Sequence, residues 1–215
     1  MTRICVEFLY LEDIWPTARF LIQRFKDNQE VGDFSEKDNH VQSLLAYSAE
    51  HWPSHLREAC LYQDDSVVSR ILAFYQVDSK LYHLWFPIFW RATRPYDTLP
   101  EMSGIRLGGL LSHENILELT LRGKEYRDID ESDKDGRTAL IWASECGHEK
   151  VIQMLVDTGA DVNAQGGYYC NALYAASARG HEKVGQILVD VRADVNAQGG
   201  DHLKWLRRSS FACPS

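Results

Sequence analysis

His51 and His55 stand four positions apart, the spacing at which two imidazoles share one helix face and can chelate a divalent metal. Pro53 falls between them, and no glutamate occupies the place that a helical zinc-protease motif requires. The pair therefore reads as packing and hydrogen bonding. Asp128, Asp130, Asp133 and Asp135 form an acidic cluster. Calcium loops need a central glycine and a distal glutamate in register, and neither is in place, so the cluster reads as a solvated loop. The five cysteines, at 5, 60, 146, 170 and 213, are odd in number and include no C-x-x-C pair. They read as free thiols in a reducing compartment. No G-x-x-x-x-G-K-[ST] phosphate loop is present. Nothing here assembles a catalytic constellation, a metal site, a cofactor site or a small-molecule substrate site.

The bulk properties narrow the partners. The 215 residues carry a formal net charge of -8 and are 45% hydrophobic, which suits a globular chain with one or two cores. An acidic chain repels phosphate, which argues against nucleic acid and against anionic membrane surfaces. Glu7 interrupts a very short apolar start, so the N-terminus does not read as a signal peptide. The most apolar window, residues 81–90, is too short to span a bilayer. The expected location is cytoplasmic, with the nucleus also open to it.

The elements that would position these residues declare themselves as a repeat. Ala139-Leu140-Ile141-Trp142-Ala143-Ser144-Glu145-Cys146-Gly147-His148-Glu149-Lys150-Val151 returns as Ala172-Leu173-Tyr174-Ala175-Ala176-Ser177-Ala178-Arg179-Gly180-His181-Glu182-Lys183-Val184, 33 positions later. Ala160-Asp161-Val162-Asn163-Ala164-Gln165-Gly166-Gly167 returns at 193–200 with the same offset. Leu140, Ala143 and Ser144 put small and apolar residues on one face of a short first helix. Val151, Ile152 and Leu155 stripe a second helix. Gly147 and Gly159 stand where each helix should end in a left-handed residue. Such a pair cannot bury its apolar face alone, but stacked copies can.

A 33-residue period with Gly-His between helices and Ala-Asp-Val-Asn after the second resembles the ankyrin repeat. A degraded copy lies 35 positions upstream, where Ser103, Ile105, Gly108 and His113 align with Thr138, Leu140, Ala143 and His148. Two extra residues near 124–127 account for the longer offset. The family's Thr-Pro-Leu-His turn is replaced by Thr138-Ala139-Leu140-Ile141 and Asn171-Ala172-Leu173-Tyr174, which predicts looser turns. His148 and His181 should hydrogen-bond neighbouring backbone, and Cys170 should be an ordinary exposed thiol at a turn tip. In the last repeat Gly185 weakens the second helix, and Arg192 replaces its terminating glycine, which should strain or lengthen it. Residues 205–212 read as a partial cap helix, with Leu206 in register. Ankyrin arrays bind proteins through turn tips and first helices. Carried over, that concave face would hold Lys134, Asp135, Arg137, Glu145, Cys146, Gly167, Tyr168, Cys170, Ala178 and Arg179, with Tyr168 and Arg179 as anchors.

Upstream the pattern is helical without a repeat. Ile4, Cys5, Phe8 and Leu9 share a face, and Pro16 precedes a second helix bearing Phe20, Leu21 and Phe25. Residues 27–39 look like a loop, and Val41, Leu44, Leu45 and Ser48 stripe a third helix. Pro53 should start another short helix, and Asp65 or Ser66 should cap the next, which bears Val68, Ile71, Leu72 and Tyr75. Pro87 should kink or end the helix carrying Leu81, Leu84, Trp85, Ile88 and Phe89. Ile4-Cys5-Val6-Glu7-Phe8-Leu9 and Leu44-Leu45-Ala46-Tyr47-Ser48-Ala49-Glu50-His51-Trp52-Pro53-Ser54-His55 resemble the segment joining the NTPase module to the ankyrin array in fungal NACHT–ankyrin proteins, which are NOD-like-receptor-type signalling ATPases. The NTPase motifs themselves are missing, so the chain resembles the C-terminal part of that architecture.

The expected fold is all-α: an ankyrin-repeat helical solenoid preceded by a small irregular helical region. Residues 1–90 form the helical region, 91–102 a linker, 103–200 the repeats (103–135, 136–168 and 169–200) and 201–215 a partial cap or tail. The expected function is non-catalytic binding of a protein partner on the concave face. The alternative is a regulatory fragment that acts on another chain's NTPase domain.

Overall fold

The structure, a computed structural model, describes residues 36–58, 65–95, 97–122 and 128–197. The two helices expected before residue 27, the extra residues near 124–127 and the cap expected at 205–212 lie outside the described residues. Every regular element described is a helix. The chain divides into two compact units, one running to Leu99 and the other starting at Pro100.

The N-terminal unit holds α1 (Glu36–Glu58), α2 (Asp65–Tyr75) and α3 (Lys80–Thr93), with α3 packed on both α1 and α2. Its core is aromatic. Trp85 is wholly buried, with its ring 4.8 Å from that of Trp52 and 6.4 Å from that of Phe74. Its indole N–H donates to the Phe74 carbonyl at 3.2 Å, so the polar edge of a buried ring is satisfied. Ser79 caps α3 by accepting from the Tyr82 amide.

Several local expectations yield to packing here. Residues 36–39 are helical, so the polar stretch ends earlier than its composition suggests. The inward stripe of α1 is Leu45, Ser48, Ala49, Trp52 and Leu56, whereas Leu44 is exposed. Pro53 does not restart a helix, because α1 runs through it. A proline removes one hydrogen bond, and the buried stripe on both sides of it offsets that loss. Pro87 likewise sits inside α3 without ending it. His83, whose carbonyl loses its helical partner there, is exposed and open to water.

The C-terminal unit is three helix pairs: α4 (Gly104–Leu111) with α5 (Glu114–Arg122), α6 (Ala139–Cys146) with α7 (Glu149–Asp157), and α8 (Ala172–Arg179) with α9 (Glu182–Asp190). First helices stack as α4, α6, α8 and second helices as α5, α7, α9. Each first helix starts on a side-chain cap: Ser103 for Arg106, Thr138 for Ile141 and Asn171 for Tyr174. Each ends in a left-handed residue, namely Ser112, Gly147 and Gly180. The core repeats with the sequence: Ala139 and Ala172, Ala143 and Ala176, Val151 and Val184, Leu155 and Leu188, Ala160 and Ala193 are all buried. Alanine at the first-helix contacts lets the helices approach closely, and the larger aliphatics of the second helices supply the buried area.

α9 is nine residues long, as α7 is, so Arg192 does not lengthen it. Arg192 instead takes φ +69°, the left-handed conformation that Gly159 adopts at φ +99° one repeat earlier. A residue with a Cβ pays about 1–2 kcal/mol for that conformation. Of the two outcomes expected at this position, strain is the one observed.

Candidate protein-binding face

The turns that precede α6 and α8 are built from backbone contacts that only particular residues allow. Asp133 is buried, and its carboxylate accepts from the amides of Asp135 and Arg137 and from the Arg137 side chain at 2.9 Å. This aspartate closes the turn, so the turn before α6 is not loose despite lacking the expected histidine. Nor is the acidic cluster merely solvated. Asp130 accepts from the Asp161 amide at 2.9 Å, and Asn163 does the same for Asp194 at 2.7 Å, stapling each repeat to the next. Burial nudges the Asp130 carboxyl upward, and the bond from Asp161 partly opposes that shift. Gly166 lies against the backbone of Gly136, where any Cβ would collide, and the Gly167 amide donates to Asp135 at 2.6 Å.

Side chains of the expected face rest on this frame. Arg137 lies 4.1 Å over the ring of the buried Trp142 and pairs with Asp133 and Asp135. Arg179 reaches back one repeat to Glu145 at 3.2 Å and lies 5.9 Å from the Tyr169 ring centre. Tyr168 meets Tyr169 edge to face at 4.8 Å and stays half-exposed. Lys134, Asp135 and Ala178 are exposed, with Lys134 in an ion pair to Glu101 at 2.5 Å. Gly167 and Cys170 are half-buried, and Cys170 has φ +66°. Cys170 is therefore a turn residue rather than an openly exposed thiol. Glu145 and Cys146 are only 2% and 8% exposed. Neither offers surface to a partner, because the close first-helix stacking covers them. Glu145 pairs with Arg179 instead.

The histidines behave as their place between the helices suggested. His148 Nε2 lies 3.1 Å from the Leu110 carbonyl, and His181 Nε2 lies 3.1 Å from that of Glu145. In α1, His51 and His55 do share a face, with Tyr47 Oη 3.3 Å from His55 Nε2. Among the described residues no group of three or more histidine, cysteine, aspartate or glutamate side chains is placed to hold a metal ion. No described helix is long and apolar enough to cross a membrane. Sequence reasoning missed Asp130 and Asn163 as staples, and Tyr169 and Trp142 as supports. The 33-residue recurrence of the Asp-x-Asn element was the signal available for the staples.

First helices stacked on first helices, second on second, with carbonyl, carboxylate and cap bonds recurring from repeat to repeat, define a helical repeat solenoid. A family model described as ankyrin repeats (3 copies) matches residues 110–199, and ankyrin repeats generally mediate protein–protein interaction and are typically non-catalytic. No curated protein matches the chain.

Proposed function

We propose that the chain is a non-catalytic interaction module that binds a protein partner across the turn tips and first helices of its second and third repeats. The observation that carries this reading is the support beneath Arg179 and Tyr168. Arg179 is held by the buried Glu145, and Tyr168 is braced edge-on by Tyr169. Ordering of these side chains is met largely within the chain itself, so little more is lost on binding. Tyrosine and arginine are also the residues that dominate interface energetics. Arg137 and Arg179 are both paired with carboxylates, which favours a partner surface of mixed polarity over a strongly acidic one. The reading assigns residues 103–200 to the binding array, 1–90 to a helical region, 91–102 to a linker and 201–215 to a tail, in a cytoplasmic or nuclear setting.

The test is affinity capture with the full chain against its Tyr168→Ala/Arg179→Ala variant, with the fold of both checked by circular dichroism. A partner retained by the parent and lost by the folded variant supports the site. A partner held equally by both removes it. A second reading is that the chain regulates the NTPase domain of a NACHT protein. It is favoured by the continuity of α1, in which the segment that resembles the NTPase-to-ankyrin junction supplies Leu45, Ala49 and Trp52 to a packed core rather than a loose tether. Binding of a purified NACHT module would support that reading, and its absence would leave the general module alone.

A further inference from the structure

Tyr47, His51 and His55 follow one another along α1 on the face away from its buried stripe of Leu45, Ala49, Trp52 and Leu56. Pro53, which stands between the two histidines, is the residue that would spoil such a pair by ending the helix. α1 instead runs through Pro53 and keeps both imidazoles on one side. Both histidines are half-exposed, so an ion from solvent can reach them and their side chains can turn to meet it.

The geometry is close to that of a chelate. The two imidazole centroids lie 6.4 Å apart. Bonds of about 2.0–2.1 Å from both rings to one ion bring the centroids to about 5 Å, which a small rotation of two half-exposed side chains achieves. Tyr47 adds an oxygen beside them: its Oη lies 3.3 Å from His55 Nε2, and its ring meets that of His51 edge to face at 4.4 Å. The ring nitrogens of His51 have no hydrogen-bond partner among the described residues, so they give up none on binding an ion. Imidazole nitrogens suit Ni²⁺, Cu²⁺ or Zn²⁺, whereas Ca²⁺ and Mg²⁺ call for carboxylates and carbonyls. The formal net charge of -8 favours the approach of a cation. No third histidine, cysteine or carboxylate joins the pair among the described residues, so the site is an exchangeable one completed by water, not a closed structural one.

We propose that His51 and His55 chelate one divalent transition-metal ion and thereby clip α1 across Pro53. Proline has no amide hydrogen, so the Ala49 carbonyl lacks its helical donor. The clip from 51 to 55 straddles that gap and joins the turns on either side of it through side chains.

Titration of the full chain with Ni²⁺ tests this, because imidazole binds nickel well while soft thiolates draw Zn²⁺ and Cu⁺. The parent should show a site of micromolar affinity. His51→Gln and His55→Gln, each checked for folding by circular dichroism, should weaken it by about tenfold or more, as two-point chelation becomes a single bond. His83→Gln, at an exposed position of α3, should leave it unchanged. Nickel should also raise the thermal midpoint of the parent and not of the two α1 variants. Equal nickel affinity in the parent and both α1 variants would overturn the proposal, as would loss of the site in His83→Gln. Binding at His51 and His55 without a rise in the midpoint would remove the clip across Pro53.

Discussion

Trp52, Phe74, Trp85, Phe86 and Phe89 fill the core of the N-terminal unit, whereas the repeat unit is filled by alanine at one set of positions and by valine, isoleucine and leucine at another. In the first unit a few large rings each touch several others, so one residue holds three helices. In the second, first helices pack on first helices and second on second from repeat to repeat, and the polar bonds also join neighbouring repeats: His181 to the Glu145 carbonyl, Asn163 to the Asp194 amide, Lys183 to Glu149. The first core should therefore fail as a whole and the second by degrees.

The largest way to break that comparison is Trp85→Ala. Removing a wholly buried indole and its bond to the Phe74 carbonyl should cost about 3–5 kcal/mol and unfold α1–α3 together. Ring-based fluorescence should record that loss while amide exchange in α7 stays as it was. If α7 loosens equally, the two units are not independent.

Gly109→Ala comes next. A Cβ there would meet the Ala139 carbonyl oxygen at 2.5 Å, and backbone cannot step aside as a side chain can. The close stacking of α4 on α6 should lose about 1–3 kcal/mol, visible as a lower thermal midpoint of the repeat unit. A neutral result would mean that first-helix contact is not what limits repeat stability.

Arg192→Gly runs the other way. Relief of the left-handed φ should stabilise the third repeat by about 1 kcal/mol and leave the middle repeat unaffected. Destabilisation would show that the Arg192 side chain contributes more than its backbone costs.

The smallest effect at neutral pH belongs to Tyr75, whose phenol burial pushes well above its ordinary value of 10.0. Below pH 10 the phenol is neutral in both the folded and the unfolded chain, and nothing changes. As pH rises past 10 only the unfolded chain gives up the proton, so the N-terminal unit should lose stability there. Denaturant midpoints of that unit at pH 9 and above pH 10 would record the fall, and Tyr75→Phe should abolish it.

How much of this was legible depended on the same contrast. A period exposes itself: Val151 and Val184, or Gly147 and Gly180, could be matched without knowing what either touches. The bond from Asp130 to Asp161 crosses between repeats, and its acceptor lies in the degraded copy, so the cluster read as solvent-facing. The pairing of Glu145 with Arg179 spans 34 positions and mixes a buried anion with a half-buried cation. Both residues were visible as surface candidates, but their mutual neutralisation was not. In the aromatic unit nothing repeats, and a local rule misled: Pro53 read as the start of a new helix, yet packing around Trp52 carries α1 through it, and of a kink or an end at Pro87 the end does not occur. The left-handed Arg192 was foreseeable because Gly159 marked the same register.

Amide exchange along the intact repeat unit tests most directly the claim that its stability is a sum over neighbours. α7 has a repeat on each side and buries Val151, Ile152 and Leu155, whereas α9 carries Gly185 within it and ends before Arg192. The account predicts slow exchange across residues 151–156 and faster exchange across 183–192, with Arg192→Gly slowing only the latter. Equal protection of the two helices in the unmodified chain would contradict it.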